Sequence, residues 1–399
     1  MGNTSLTTDL ITREALRVAH EKLSFLGTIN REYDSSFAGA GGKHGSTLRV
    51  RKPVQYTRRT GSRVMDIQDS LETSSTITVA TQDGVDMRFN SAELTLDIED
   101  FSQRYIVPAV SQLVAGIEGD MISQFTKDIY NVVGTAGTPP ADLAALGAAR
   151  ARLNQQLAPK DGQRFVQMDS VTMGGMVNGL KGLFQDSAQI KEAMREGFYG
   201  RLAMADLYEN EKVWTMPNSG DVAGTLDTYT VVEGDTDLTV TGFSAAPVAG
   251  MVFTIAGVYD CHPETKAAYS HLKQFVVTSA TTTVINFSPA IRISGARKNV
   301  STATGADISP STTAAITFVG NASTNYQQSL MYHKDAFTFV TADLPIMDDA
   351  AKCVRRTQDG LSLRVWQGSD IRNDEMLTRI DILYGGLTLR PEWAARITS

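Results

Sequence analysis

Residues 102–133 read SQRYIVPAVSQLVAGIEGDMISQFTKDIYNVV. Val110, Val114, Ile117, Met121, Phe125, Ile129 and Val132 recur every three or four positions, the spacing that lines one face of a helix. The pattern predicts one helix over 102–133, roughly 48 Å long at 1.5 Å per residue. Pro108 stands near its start, where a missing N–H costs least. Asp97, Glu99 and Asp100 precede it, at the end where the helix dipole favours acids. Gly134 and the loop GTAGTPP (134–140) close it. A helix this long is a strut across a domain rather than the centre of a compact one.

Upstream, residues 6–26 predict a short amphipathic helix marked by Leu10, Leu16, Leu23 and Leu26, with Gly27 as its stop. A Gly-rich stretch, GAGGKHG (39–45), follows. The segment KHGSTLRVRKPVQYTRRTGSR (43–63) holds seven Lys/Arg and no Asp or Glu, although the chain carries a net charge of -7. Within it Leu48 and Val50 alternate with Arg49 and Arg51, which is strand periodicity, and Pro53 denies the strand a central place in a sheet. Residues 54–74 read as an exposed excursion. TITVA (76–80) and VDMRFN (85–90) predict strands about a hairpin turn at QDG (82–84). So 46–90 reads as a β-rich arm too thin to own a core.

Downstream, PADLAALGAARARLNQQLAP (140–159) predicts a helix and RFVQMD (164–169) a short buried strand. SVTMGGMVNGLKGLF (170–184) and AQIKEAMREG (188–197) predict further helices, and LAMADLYENEKVW (202–214) strands. Composition then shifts. Residues 218–326 contain eighteen Thr, thirteen charged residues and no convincing helix. Six short strands, TYTVV, LTVTGF, MVFTIAGV, KQFVVT, TTVINF and AAITFV, with turn signals between them, predict an inserted β-barrel or sandwich. DAFTFVTADLPI (335–346), LSLRVWQG (361–368) and EMLTRIDILYGGLTLRPEW (375–393) then complete sheets begun before the insertion.

Chemistry-bearing patterns are weak. In GAGGKHGS (39–46) His44 follows Lys43 where a phosphate loop needs Ser or Thr, and a strand rather than a helix comes next, so the stretch reads as a hinge. Cys261, His262 and His271 lack the paired spacing of a zinc site. His20, His44 and His333 are isolated. No G-x-S-x-G or H-E-x-x-H occurs. A hydrolase would require acids or histidines brought together in three dimensions. The expectation is no catalytic, cofactor or metal site.

Bulk properties agree. At 399 residues, with 42% hydrophobic and 20% charged content, the chain can build two or three folded domains. Two distant cysteines suggest a reducing compartment. The polar MGNTSLTTDL opening shows no secretion signal, and no apolar run approaches the roughly 20 residues of a membrane helix. The acidic balance argues against a general nucleic-acid binder, because phosphate contacts supply most of such affinity. The basic segment therefore has three readings. It is a solvated loop, a nucleic-acid contact with Tyr56 as its sole aromatic, or an arm that meets acids such as Asp97, Glu99 and Asp100 of another subunit. The last is favoured, because a two-stranded arm is marginal alone and gains stability on a neighbour.

The order of parts is distinctive: N-terminal arm, basic loop, strut helix, α/β block, β insertion, closing strands. With SLTTDLITREALRVAHEKLSFLGTINREYDSSF, FTIAGVYDCHPETKAAYSHLKQFVVT, KDAFTFVTADLPI and DILYGGLTLRPEWAARI, it resembles the major capsid (coat) protein of tailed double-stranded DNA phages. That is an α+β protein of the Hong Kong 97-type fold, here of the short-tailed branch with an inserted β-barrel. The resemblance implies an N-terminal arm at 1–37 and an extended loop at 38–93 that overlaps a neighbour. It implies a peripheral domain at 94–140 and 335–384 with the spine helix 102–133. An axial domain takes 141–217, 327–334 and 385–399, and the inserted barrel takes 218–326. Arg49, Arg51, Lys52, Arg58, Arg59 and Arg63 would form the intersubunit basic arm. The loop with Glu233, Asp235 and Asp237 would reach neighbouring capsomers. The implied partners are further copies in pentamers and hexamers, a scaffolding protein, a portal protein and non-specifically packaged DNA. A decoration protein stays open, and no membrane is implied. Assembly would occur in the host cytoplasm and the product would be the virion shell. The alternative remains a nucleic-acid-binding protein acting through 43–63.

Overall fold

In the computed structural model, residues 8–32, 47–58, 61, 65, 67, 72–90, 105–180, 201–227, 233–306, 308, 314–347, 352–358, 361–373 and 375–399 are described. The chain divides into two compact units. One comprises Met1–Val50, Ser74–Met121 and Phe337–Leu389; the other comprises Arg51–Thr73, Ile122–Ala336 and Arg390–Ser399.

In the first unit, helix α1 (Thr8–Lys22) buries Ile11, Ala15, Val18 and Ala19, one helical face at i, i+4, i+7 and i+8. It ends five residues before Gly27, because the chain turns away at Ser24. There the buried carboxylate of Glu118 accepts the Ser24 N–H at 3.1 Å, the Ser24 hydroxyl at 3.0 Å and the Phe25 N–H. Glu118 belongs to helix α2 (Val107–Asp128), so the strut holds the N-terminal helix by its end.

The sheet of this unit is built on the fourteen-residue strand Glu375–Thr388. One side pairs antiparallel with Leu361–Asp370, which pairs in turn with Lys352–Gln358. On that same side Phe337–Ala342 continues the pairing along 383–388, and the other side pairs with Thr81–Asn90 along 375–384. Leu23 and Leu26 after α1, Val110 and Val114 of α2, and Leu363 and Ile382 of the sheet converge on one apolar core. QDG (82–84) makes no turn. It lies inside Thr81–Asn90, and the predicted strand VDMRFN is a member of this sheet, not the far side of a free arm. The backbone hydrogen bonds of a ten-residue ladder outweigh a local Asp-Gly turn preference.

Helix α2 carries the expected stripe: Val110, Val114, Ile117, Met121 and Phe125 are buried, as are Ile129 and Val132 beyond it. The helix closes at Asp128, not 133. Val132–Val133 is instead a strand running parallel to Arg396–Ile397, because that backbone is claimed by a sheet.

The second unit holds that sheet and a barrel. Sheet order is Val132–Val133, Ala394–Thr398, Asn325–His333, Arg164–Met168, Ala205–Glu209, Arg201–Leu202, with Trp214–Pro217 pairing on Asn325–His333. Helix α3 (Leu143–Gln155) starts where Asp142 accepts the Ala144 N–H at 2.9 Å, and it buries Leu146, Ala149 and Leu153. Helix α4 (Ser170–Leu180) starts where Asp169 accepts the Thr172 N–H at 3.0 Å. The predicted helix 188–197 lies outside the described residues.

Six antiparallel strands of residues 223–318 close into a barrel. The order is Ala268–Ala280, Val284–Ser288, Asp237–Thr241, Ala223–Leu226, Ala315–Phe318 and Val252–Cys261, which pairs back on Ala268–Ala280. Phe253, Phe275, Phe287 and Phe318 fill it with ring centroids 5.2–5.9 Å apart. Ala223–Leu226 is a barrel strand that the sequence reading did not mark, and the strand expected at TYTVV (228–232) lies outside the described residues. Among the described residues no helix is long and apolar enough to cross a membrane.

Candidate assembly interface

Thr47–Lys52 pairs with Thr73–Thr78 as a separate two-stranded sheet. Alternation divides the first strand: Leu48 and Val50 are half-buried, Arg49 and Arg51 exposed. Leu48 and Val50 pack on Ile77, Val79 and Val340, with Ala342, Leu383 and Leu387 alongside. The arm is therefore rooted in the sheet's apolar surface. The root admits no side chain at Gly385: a Cβ there would strike the Thr78 carbonyl and lie 2.9 Å from the Val79 Cα.

The strand that follows the arm, Thr81–Asn90, is tied to Glu375–Thr388 by charge as well as backbone. Asp83 accepts the Tyr384 hydroxyl at 2.8 Å, and burial with that carboxylate pushes the phenol's pKa well up. Asp86 lies 3.6 Å from Arg379, and Arg88 lies 3.2 Å from Glu375. Arg379 and Arg364 both hold the buried Asp381 at 2.6 Å. Gly84 stands directly over Asp381, whose Oδ1 would be 2.5 Å from any Cβ.

The cations of the arm are partly satisfied within it. Arg49 donates to the Ser74 hydroxyl at 2.7 Å, and Arg51 lies 3.5 Å from Glu72. Lys52 is half-buried and Arg58 exposed; Arg59 and Arg63 lie outside the described residues. So do Asp97, Glu99 and Asp100. Between the two strands Tyr56, Met65 and Ile67 stand in solvent, with 65%, 81% and 82% of their surface exposed. Tyr56 was visible in the sequence as the lone aromatic of 43–63, whereas Met65 and Ile67 follow that cationic segment and carry no periodic signal.

The loop 233–237 is bound into its own barrel. Glu233 pairs with Arg292 at 3.2 Å and accepts the Ile293 N–H at 2.8 Å. Gly234, at φ +96, donates to the Ile291 carbonyl, and the Asp235 carbonyl accepts from Ile291. Asp237 opens a strand opposite Asn286.

Residues with no sequence signal hold the barrel to its host sheet. The Gln274 amide accepts the Val132 N–H at 2.9 Å and donates to its carbonyl at 3.0 Å, as a neighbouring strand would. Buried Asp260 takes Lys273 at 2.8 Å and Gln156 at 3.0 Å. Burial opposes its charge, but Lys273 and His271 outweigh burial and hold the carboxyl below the ordinary aspartate range. Lys273 also lies 4.9 Å from the centre of the Tyr130 ring. Arg396 is fully buried, donates to the Gly250 carbonyl at 2.6 Å and the Lys127 carbonyl at 3.3 Å, and is pushed down to about 9 by burial. Of the ligand-type residues weighed in the sequence, His271 faces Asp260 at 3.5 Å and His333 faces Asp161 at 3.1 Å. Among the described residues no group of three or more could hold a metal.

A spine helix lying on a sheet, a rooted arm, a second α/β sheet and an inserted six-stranded barrel together define a tailed-phage capsid subunit of the Hong Kong 97-type fold. A solved structure from Mycobacterium phage Che8 is similar across 94% of this chain and 90% of its own, at 12% identity and a TM-score of 0.50. The capsid of Ralstonia phage GP4 covers 93% of this chain and 87% of its own, at 7% identity and a TM-score of 0.48. No curated protein matches the chain. A family model described as P22 coat protein - gene protein 5 matches residues 51–396. The chain belongs to that family, and it is a major capsid protein, a structural subunit of a phage shell.

Proposed function

We propose that the arm 47–78 lies on a neighbouring copy within a capsomer, and that its unsatisfied surface is completed there. The observation that carries this is the exposure of Tyr56, Met65 and Ile67 beyond a root locked at Gly385. Clustered apolar groups in solvent mark a contact surface, and these three fall within twelve residues of one excursion. Arg58, Arg59 and Arg63 supply the polar rim, with Asp97, Glu99 and Asp100 of the neighbour as partners. Residues 1–37 serve as the N-terminal arm, 38–93 as the extended loop, 94–140 with 335–384 as the peripheral domain, and 141–217, 327–334 and 385–399 as the axial domain. The barrel within 218–326 presents Glu233, Asp235 and Asp237 toward neighbouring capsomers.

On this reading the shell assembles in the host cytoplasm around a scaffolding protein, carries a portal and is filled with DNA. It catalyses no reaction. A net charge of -7 suits a container, since strongly basic walls would grip the DNA and resist its entry. Electron microscopy of the expressed protein, with and without scaffolding protein, tests the reading. Closed shells are expected, and small discrete oligomers under every condition would refute it.

A further inference from the structure

The sheet of the first unit ends in two strands whose outer edges no strand pairs with among the described residues: Lys352–Gln358 and Thr81–Asn90. Edges of this kind are templates for further pairing. Between them lie three successive antiparallel pairings, so the two outermost strands run in opposite directions. A second copy displaced along the sheet would therefore lay its Thr81–Asn90 antiparallel to the first copy's Lys352–Gln358.

The rows of the sheet set the register of such a join. One row reads Cys353, Trp366, Arg379, Asp86; the next Val354, Val365, Ile380, Val85; the next Arg355, Arg364, Asp381, Gly84. Continued into a second copy, they bring Val354 beside Val85 and Arg355 across Gly84, which has no side chain to obstruct it. One position further, Arg356 meets Asp83. Lys352, Arg355 and Arg356 make one edge cationic, with Arg355 also 3.5 Å from Asp343 of its own copy, while Asp83 and Asp86 against the single Arg88 leave the other net acidic. Either edge paired with its own kind would set like charges opposite each other, which is destabilising. The signs thus disfavour a twofold, self-complementary join and favour a head-to-tail one, the type that closes rings.

We infer that adjacent copies within a capsomer are joined edge to edge, Lys352–Gln358 of one copy hydrogen-bonding to Thr81–Asn90 of the next. The inference rests on the chain's self-assembly into a shell and adds a second contact to the arm. Cys353 provides the test, because the register sets it opposite Asp86, whose side chain is 76% exposed. Assembled particles of Asp86→Cys, mildly oxidised, are expected to give a ladder of covalent oligomers on a non-reducing gel. The ladder should vanish with Cys353→Ser and on disassembly before oxidation. Intact particles that yield monomer alone overturn the edge pairing and leave the shell untouched. Should Asp86→Cys not assemble, hydrogen exchange of the native protein decides. The outward amides of both edge strands are expected to exchange about tenfold or more slowly in particles than in free subunits, and equal exchange overturns the inference. A native chain that forms no particles overturns both readings.

Discussion

Gly385 and Gly84 serve close approach. At Gly385 the arm's backbone crosses the central strand where a Cβ would stand, and at Gly84 the carboxylate of Asp381 occupies that space. Gly385→Ala is expected to cost about 1–3 kcal/mol, the usual range for overpacking, measured by urea unfolding. Its larger effect should be on assembly, because the arm's root must lift. A second site is strained in the opposite sense. The two-residue turn between Arg201–Leu202 and Ala205–Glu209 holds Ala203 at φ 53 and Met204 at φ 65. Turns of this kind favour Asn-Gly, since side chains beyond Asn and Asp resist the left-handed region. The double change Ala203→Asn with Met204→Gly is expected to raise stability by about 1–2 kcal/mol, read as a higher urea midpoint at unchanged slope.

Among the elements, the barrel is the one whose sequence most resembles an independent domain. Its Phe core and closed ladder would serve a free module equally well. Yet Gln274 completes the edge of the neighbouring sheet, Arg396 reaches Gly250, and Asp260 draws Gln156 toward Lys273. These contacts make the barrel and its host sheet a single fastened piece. Lys273→Met would strand a buried carboxylate, and the expected loss is about 3–5 kcal/mol. Acid should act on the same pair. The folded-state pKa of Asp260 is depressed, so its contribution is present above the ordinary aspartate value and fades as pH falls through the lower folded value. Unfolding followed across that window should show an acid-dependent loss in the native chain and a smaller one in Lys273→Met.

For the whole molecule, function lies in contacts with other copies. The arm and the two sheet edges left unpaired among the described residues offer different chemistry: apolar and cationic groups on the arm, backbone ladders flanked by charged side chains on the edges. Arg58→Glu with Arg59→Glu is expected to reduce particle yield while binding of the free subunit to DNA stays near background. Salt-dependent DNA binding that disappears in this variant would instead favour the nucleic-acid reading of 43–63. Sedimentation and gel-shift measurements on the same preparations separate the two.

Periodicity made much of this legible. The stripe from Val110 to Phe125, the alternation at Leu48–Arg51 and the Thr-rich run of barrel strands follow from side-chain spacing alone, and the spacing survives in the fold. The arm's cations were visible as charge, but their partners Ser74 and Glu72 were not, because pairing depends on which strands meet. Helix α2 stopping at Asp128, QDG running straight through a strand, and Val132 bonding to Gln274 were likewise beyond reach. Each is a place where backbone hydrogen bonds to distant residues override a local preference. By itself the sequence determined which faces are apolar, where composition changes, and so the order of parts along the chain. Tertiary structure alone decided which strand edges stay open among the described residues, which glycines admit a crossing backbone, and which buried charges meet, because each depends on separate strands arriving at the same few ångströms, in the case of Gly84 and Gly385 from segments about 300 residues apart.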